Sequence, residues 1–399
     1  MDNIKDEKKL LRYVYLLCIV CFVNLALVKQ PIDKGALIIA AIIITLIAYS
    51  HFIIRRFYPD GDKYIFVLAS ALSVIGLAVI YRINQQLAVK QVMWFALGVA
   101  GFIIIVVMLP DLKRFAKYKY FYLVLTIIFM GASLLIGTEE LGAKNWIKIG
   151  GFSFQPSEFG KLFLVAYLAT ALKDYKNRKD LMEPAIVVMA CLGFMVLQRD
   201  LGTALIVFAL SVTILYIATS KFKYVIVCLL LFIVGGYLSY KLFGHVRIRF
   251  MIWKNPWAYA NGEGYQIVQS LIAISWGGLF GRGIGFDYPQ YIPVNVSDFI
   301  FTVICEELGI ILGLGLIIIY FLLFYRCMRA AVLVEDNFSR LVAVGYSAII
   351  ASQALVILGG VINLIPLTGI TLPLISYGGT SMLITFFSLG ILQKISEGE

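Results

Sequence analysis

Charge is scarce in this chain. Of its 399 residues, 14% are Asp, Glu, Lys or Arg and 61% are apolar, whereas soluble domains carry about 25% charged and about 45–50% apolar residues. The length would permit a string of water-soluble domains, and this shortage of charge excludes one. Histidine is scarcer still. His51 and His245 are the two present, too few and too far apart for a histidine metal site or a Ser-His nucleophilic engine. The six cysteines (Cys18, Cys21, Cys191, Cys228, Cys305, Cys327) lie in or beside apolar runs without metal-ligand spacing. Neither a zinc site nor a disulfide is expected of them. No basic run is interleaved with aromatics, so the net charge of +11 reads as the positive loops of a membrane protein, with no nucleic acid implied. The glycines of Gly277-Gly278-Leu279-Phe280-Gly281-Arg282-Gly283-Ile284-Gly285 lack the strand–loop–helix setting of a nucleotide site. Chemistry in this chain must therefore run on carboxylates, Lys and Arg.

Long apolar runs are what the sequence does have. A spanning helix needs about 20 predominantly apolar residues. Twelve segments qualify, near 10–28, 35–55, 64–81, 91–109, 119–137, 158–173, 183–197, 201–219, 222–243, 299–325, 341–364 and 373–393. The sixth and seventh are short, as tilted or re-entrant segments would be. The first run ends at Gln30 without an Ala-x-Ala-like site, so no cleaved signal peptide is expected. The fold class expected is an all-α polytopic membrane protein, with residues 1–399 forming one integral membrane domain.

Loop charges orient it. With the N-terminus inside, the inner segments collect Lys5, Lys8, Lys9 and Arg12, then Arg55, Arg56 and Lys63, then Lys113, Arg114, Lys117 and Lys119. Lys173, Lys176, Arg178 and Lys179 follow, and then Lys221, Lys223, Arg326, Arg329, Arg340 and Lys394. The positive-inside rule then places both termini in the cytoplasm. Two outer loops exceed a simple connector. Residues 138–157 are rich in Gly and Trp. Residues 244–298 are longer, and within them Ile267, Leu271 and Ile274 recur at helical spacing with Gln266, Gln269 and Ser270 between. That pattern predicts an amphipathic helix on the outer face.

Polar residues inside spans are costly and mark function by default. Four places qualify. In Gln155-Pro156-Ser157-Glu158-Phe159-Gly160-Lys161 a helix begins, and Glu158 and Lys161 share a face. One reading is a capped helix with a local ion pair; the other is a charged pair facing a polar cavity. Gln198-Arg199-Asp200-Leu201-Gly202-Thr203 puts two charges in a tight turn, with Asp200 at a helix start. Asp298 precedes another helix, and Glu306 and Glu307 lie about two turns further on, where no capping argument needs them. Finally, Pro366, Gly369, Pro373, Gly378 and Gly379 break the backbone around Ser376 and Tyr377. Near membrane depth, that is tolerated only inside protein or beside a cavity.

Taken in order, these motifs resemble the SEDS family of RodA, FtsW and SpoVE, the membrane enzymes that polymerise peptidoglycan strands. The likeness runs from about Leu68 to Ile395. It rests on Gly142-Ala143-Lys144-Asn145-Trp146-Ile147 with Gln155 to Lys161, on Asp200-Leu201-Gly202-Thr203-Ala204, on Gly264-Tyr265-Gln266 with Gln269-Ser270, on Asp298-Phe299-Ile300-Phe301 with Glu306-Glu307-Leu308-Gly309, and on Pro366 to Gly379. Gly76 to Arg82 and Ile292 to Asp298 resemble a RodA-like branch more than a typical division FtsW. The resemblance implies a ten-helix core over 64–395, with the spans of 10–56 added in front and 244–298 as the large outer loop. It implies an inverting glycosyl transfer on lipid II at the outer membrane face, with undecaprenyl pyrophosphate leaving from the growing lipid-linked glycan. The substrate-binding residues it implies are Glu158, Lys161, Asp200, Arg249, Gln269, Ser270, Glu307, Ser376 and Tyr377, with Arg199 and Arg247 as further phosphate partners. It implies a class B penicillin-binding protein as partner, in a bacterial plasma membrane. No cofactor follows. A divalent cation would suit the pyrophosphate, but no ligand cluster identifies one.

Three departures from the family pattern surround the outer cavity. Where the family's catalytic aspartate stands in an Asn-Pro-Trp-x-Asp-Pro-like run, this chain has Tyr259, and a phenol with a pKa near 10 is a poor base at neutral pH. Asn145 replaces the arginine of Gly-Ala-x-Arg-Trp, and Val294 and Val296 replace a Glu and a His ahead of Asp298. Glu263 and Asp298 are the carboxylates that could serve as base instead. Two other readings stand beside the enzyme: a catalytically degenerate relative acting as scaffold or regulator, and a lipid flippase or transporter.

Overall fold

The computed structural model describes residues 2–28, 30–140, 142–149, 152–285 and 289–397. Residues 286–288 of the expected outer loop 244–298 lie outside the described residues. Among the described residues there are fourteen α-helices: α1 Asp2–Val28, α2 Lys34–Phe57, α3 Tyr64–Ile83, α4 Gln85–Met108, α5 Lys119–Ile136, α6 Pro156–Leu172, α7 Met182–Leu197, α8 Leu201–Thr219, α9 Phe222–Leu242, α10 Gly244–Lys254, α11 Tyr265–Gly277, α12 Ile300–Leu333, α13 Asn337–Val361 and α14 Gly379–Ile395. Each of the twelve apolar segments is helical over most of its length. Ten helices among the described residues are long and apolar enough to cross a membrane, and α14 is a shorter apolar helix. This is a polytopic helical membrane protein. Short polar side chains start the helices: Asp33, Asn84, Asp200 and Asp336 accept backbone N–H groups at the starts of α2, α4, α8 and α13. Pro156 opens α6 at its first position, where a missing N–H costs nothing.

The all-α expectation needs one addition. The first outer loop is an antiparallel meander of β1 Thr138–Glu140, β2 Ala143–Ile149 and β3 Phe152–Phe154. Gly142, at φ +82°, sits in the connection that lets Glu140 pair with Ala143. The last span also starts later than its apolar pattern. Residues 362–378 stay non-helical, because Pro366 and Pro373 cannot donate to a helical ladder.

The chain divides into two compact units. One gathers the residues up to Leu109, Gln269–Ala330 and those from Thr371 onward; the other gathers Pro110–Val268 and Ala331–Ile370. In the first unit α3 is buried over nearly its whole length, as befits a helix apolar all round. The α1–α2 hairpin packs on α3 and α4. α14 lies against α4 so closely that a Cβ on Gly101 would meet the Phe387 ring at 2.0 Å. In the second unit α6 and α13 are the buried centre, flanked by α5 and α8. α9 has no buried residue.

Candidate functional site

The second unit holds most of the candidate polar residues. Glu158 and Lys161, one turn apart on α6, form an ion pair at 2.8 Å with side chains 7% and 1% exposed. Lys161 Nζ also donates to Gln353 Oε1 of α13 at 3.2 Å. An ammonium has three donors, so one N–H of Lys161 remains for another acceptor. Of the two sequence readings, the local ion pair of the first is present, and it is buried: Glu158, Lys161 and the neutral Gln353 form a triad that joins α6 to α13.

Asp200 sits in the turn between α7 and α8, where Arg199 adopts φ +61°. It accepts from Thr203 N at 3.0 Å, Thr203 Oγ1 at 2.9 Å, Asn145 Nδ2 at 3.0 Å and Gln155 Nε2 at 3.2 Å. Asp200 therefore does more than cap α8: it ties β2 and the entrance of α6 to the start of α8. Asn145, the residue standing at the family's arginine position, bonds the carboxylate directly as a neutral donor. Its own Oδ1 is buried without a hydrogen bond, as are Ser157 Oγ and Gln198 Oε1.

Beside this cluster, Arg249 of α10 donates to the carbonyls of Thr368 at 3.2 Å and Leu367 at 3.4 Å. Gly202 packs so tightly on the same loop that a Cβ there would meet Ile370 at 2.3 Å. One turn before Arg249, burial and the charges of Arg249 and Arg199 hold the His245 imidazole below its ordinary pKa. Arg249 and Thr368 line one end of a cavity of about 1470 Å³, whose walls are side chains of α6, α7, α8 and α9 and are almost wholly apolar. Its opposite end is lined by Leu172, Leu181 and Tyr224, so it runs the length of the spanning helices.

The first unit holds the rest. Glu307, with its side chain 2% exposed, pairs with Arg82 at 3.3 Å. Close by, α12 is interrupted at Gly309 (φ +86°). The loop after α11 fills the interruption, with Arg282 N bonding Glu306 O and Ile310 N bonding Gly278 O, each at 3.0 Å. Ser270, expected on the polar face of α11, is instead fully buried and shares a 2.6 Å hydrogen bond with Thr302. Gln269 beside it is half-buried. Ser376 Oγ donates to Ser297 O, and Tyr377 N donates to Val296 O at 2.8 Å, so the broken segment is stitched to the stretch that ends in the half-buried Asp298. Gln91 clamps the break from α4, donating to Ser376 O at 3.1 Å and accepting from Gly378 N at 3.2 Å.

Glu263 is exposed in the turn before α11. Tyr259, at the end of a 3₁₀ turn over Pro256–Tyr259, is 39% exposed, and its hydroxyl donates to Met251 Sδ at 3.6 Å. The residues that sequence reasoning missed are Arg82, Gln91, Thr302 and Gln353. Gln353 was detectable, being a polar residue inside a span. Arg82 was not, because nothing local names a partner 225 residues away.

Comparison with known proteins adds the following. The model of the family described as cell cycle protein, that of FtsW, RodA and SpoVE, matches residues 62–399; α1 and α2 lie ahead of the match. Peptidoglycan glycosyltransferase RodA of Mycobacterium tuberculosis (strain ATCC 25618 / H37Rv) is 34% identical over 384 residues, covering 89% of this chain and 82% of that protein. Stage V sporulation protein E of Bacillus subtilis (strain 168) is 32% identical over 359 residues, covering 84% of this chain and 97% of that one. Among solved structures, a chain from a study of structural coordination of polymerization and crosslinking by a peptidoglycan synthase complex is similar with a TM-score of 0.73 and 26% identity. It covers 84% of this chain and 97% of its own.

Proposed function

This chain belongs to the FtsW, RodA and SpoVE family, and on that premise we propose that it is a peptidoglycan glycosyltransferase that polymerises glycan strands from lipid II. The observation that carries the reading is the apolar cavity of about 1470 Å³ with Arg249 and Thr368 at one end, beside the buried Asp200 cluster. A polyisoprenoid tail needs a long apolar groove and its pyrophosphate needs cations where the groove ends. One end of this cavity offers that pairing.

In the reaction, a sugar hydroxyl of one lipid-linked disaccharide attacks the anomeric carbon of the growing strand. The bond to the pyrophosphate oxygen breaks with inversion, and a carboxylate takes the hydroxyl proton. Glu263 and Asp298 are the carboxylates we assign as that base, because a phenol is a poor general base at neutral pH. Arg249 and Arg199 face the departing pyrophosphate, and the spare N–H of Lys161 binds an acceptor oxygen. Glu158 and Gln353 hold that ammonium in place, and Asp200 holds the outer sheet against α6 and α8. Gln269, Ser270, Glu307, Ser376 and Tyr377 of the first unit are further substrate-binding residues in this proposal. Among the described residues no three His, Cys, Asp or Glu side chains converge as a metal site would require.

The remaining parts of the proposal are architectural. The two units act as one integral membrane domain, both termini face the cytoplasm, and α1 and α2 are additions to a ten-helix core. A class B penicillin-binding protein is the partner that would crosslink the strand as it emerges.

The test is incubation of the purified protein, with and without such a transpeptidase, with fluorescent lipid II. Glycan ladders on a gel support the enzyme. A second reading, a scaffold with a decayed site, is favoured by Tyr259 at the family's aspartate position. It predicts no ladder and unaltered binding of the transpeptidase. Scrambling of lipid II between leaflets without polymer would point to a flippase instead.

A further inference from the structure

The α1–α2 hairpin lies ahead of residues 62–399, which the family model matches, and both of its helices are long and apolar enough to span a membrane. The turn between them carries an aspartate with two separate sets of partners. Asp33 Oδ1 caps α2 by accepting from Gly35 N at 2.9 Å, which other short polar side chains also do. Its Oδ2 reaches beyond the hairpin, accepting from Tyr81 Oη at 2.9 Å and from Gln85 Nε2. Gln85 Nε2 also donates to Tyr81 Oη at 3.1 Å. Asp33 N donates to Ala26 O at 3.1 Å, which ties the turn back to α1.

These bonds bracket Arg82. Tyr81 precedes it in the last turn of α3, and Gln85 opens α4. One carboxylate therefore holds the chain on both sides of Arg82, across the break between two helices. Helix ends fray unless their groups are tied. The hairpin reaches the same place by a second route. Val28, the last residue of α1, packs on Gly285: a Cβ there would meet Val28 Cγ1 at 3.2 Å and Arg82 Nε at 3.7 Å. The loop of Gly285 is fastened to α12, with Gly283 N donating to Glu307 O at 2.9 Å. Both routes end at the ion pair of Arg82 with Glu307, at 3.3 Å. All these residues belong to the first unit.

The placement of that pair matters. The Glu307 side chain is 2% exposed, and a buried carboxylate is costly unless its cation is held in position. We propose that Asp33 is a positioning residue: through Tyr81 and Gln85 it fixes Arg82, and Arg82 holds the Glu307 carboxylate in the orientation that binds lipid II. This role rests on the assignment of Glu307 to the substrate site. Asp33 acts without touching the substrate, and the hairpin thereby becomes a working part of the site.

Asp33→Ser separates the two roles of this side chain, since serine caps a helix about as well as aspartate but has no second oxygen to reach Tyr81 and Gln85. The full-length protein is titrated with fluorescent lipid II in detergent, and turnover at saturating lipid II is read from glycan ladders on the same samples. Asp33→Ser is expected to bind lipid II about tenfold more weakly with turnover unchanged, whereas a merely structural hairpin would lower turnover through lost protein and leave affinity intact. Glu307→Gln is expected to weaken binding by at least as much. Asp33→Ser/Glu307→Gln is expected to bind no more weakly than Glu307→Gln alone, because both changes act on one carboxylate. Asp336→Ser alters the cap of α13 in the same way and is expected to bind as the native protein does. If Asp33→Ser fails to fold, Tyr81→Phe is read for a roughly threefold weakening. Affinity is read without turnover, so a native protein that binds lipid II but does not polymerise it still decides the comparison. Native affinity in the folded variant while Glu307→Gln is weakened, losses that multiply in the double variant, or an equal loss in Asp336→Ser would overturn the role of Asp33 alone. Native affinity in Glu307→Gln, or no binding of lipid II by the native protein, would overturn the substrate-site assignment and this role with it.

Discussion

Replacing Glu158 by Gln separates what the buried triad does for the fold from what it does for catalysis. The change keeps the shape but leaves the Lys161 ammonium, with its side chain 1% exposed, facing only neutral amide oxygens, that of Gln353 at 3.2 Å and that of the substituted side chain. Removing one partner of a buried ion pair costs about 3–5 kcal/mol, because the other charge stays desolvated and uncompensated. Replacing both partners by groups of similar volume is often neutral or stabilising. Glu158→Gln/Lys161→Met should therefore unfold at a higher temperature than Glu158→Gln alone, close to the native protein. Glycan synthesis should not follow that recovery: it should be lost in both variants, because neither keeps an ordered ammonium at the site. Thermal unfolding in detergent and the lipid II ladder assay read the two quantities on the same preparations. A double variant that polymerises at the native rate would show the triad to be only structural. A Glu158→Gln cost below about 1 kcal/mol, the range of solvated pairs, would refute the energetic argument.

Asp200→Asn replaces an oxygen facing three donors by an amide that can accept through one oxygen only. At about 1.5–3 kcal/mol for each hydrogen bond to a charged group, it should lower stability by roughly 2–4 kcal/mol in denaturant unfolding. Gly309→Ala should fail to reach the membrane in folded form, since φ is +86° and a Cβ there would meet Leu279 O at 2.3 Å. Size-exclusion chromatography after solubilisation reads that outcome. His245 has a folded-state pKa held below its ordinary value, so the unfolded chain takes up its proton first as pH falls. Stability should therefore decline as pH drops through about 6.5, and His245→Asn should flatten that part of the unfolding-temperature profile.

The helices were legible because long apolar runs admit few other structures, and Asp200 marked the start of one of them. Glu158 and Lys161 were legible as a pair because helical spacing alone puts them on one face. The interruption at Gly309 was not, since Ile310 to Leu316 reads as uninterrupted apolar helix and the loop that fills the gap comes from Gly277 to Gly283. Ser270 was misplaced for a related reason: its partner Thr302 lies on another helix, and a lone serine on a periodic face reads as solvent-facing. The small sheet of Thr138–Phe154 carries too little periodicity over strands of three and seven residues to be separated from a loop.

The group that takes the proton decides the mechanism at a site whose family aspartate position holds Tyr259. The most direct measurement is glycan synthesis from lipid II by the purified native protein and by Glu263→Gln, Asp298→Asn and Tyr259→Asp, on samples matched for unfolding temperature. The expected result is ladders from the native protein, and their loss in Glu263→Gln or Asp298→Asn. An inactive native protein that gains ladders in Tyr259→Asp, or ladders that persist in both carboxylate variants, would contradict it.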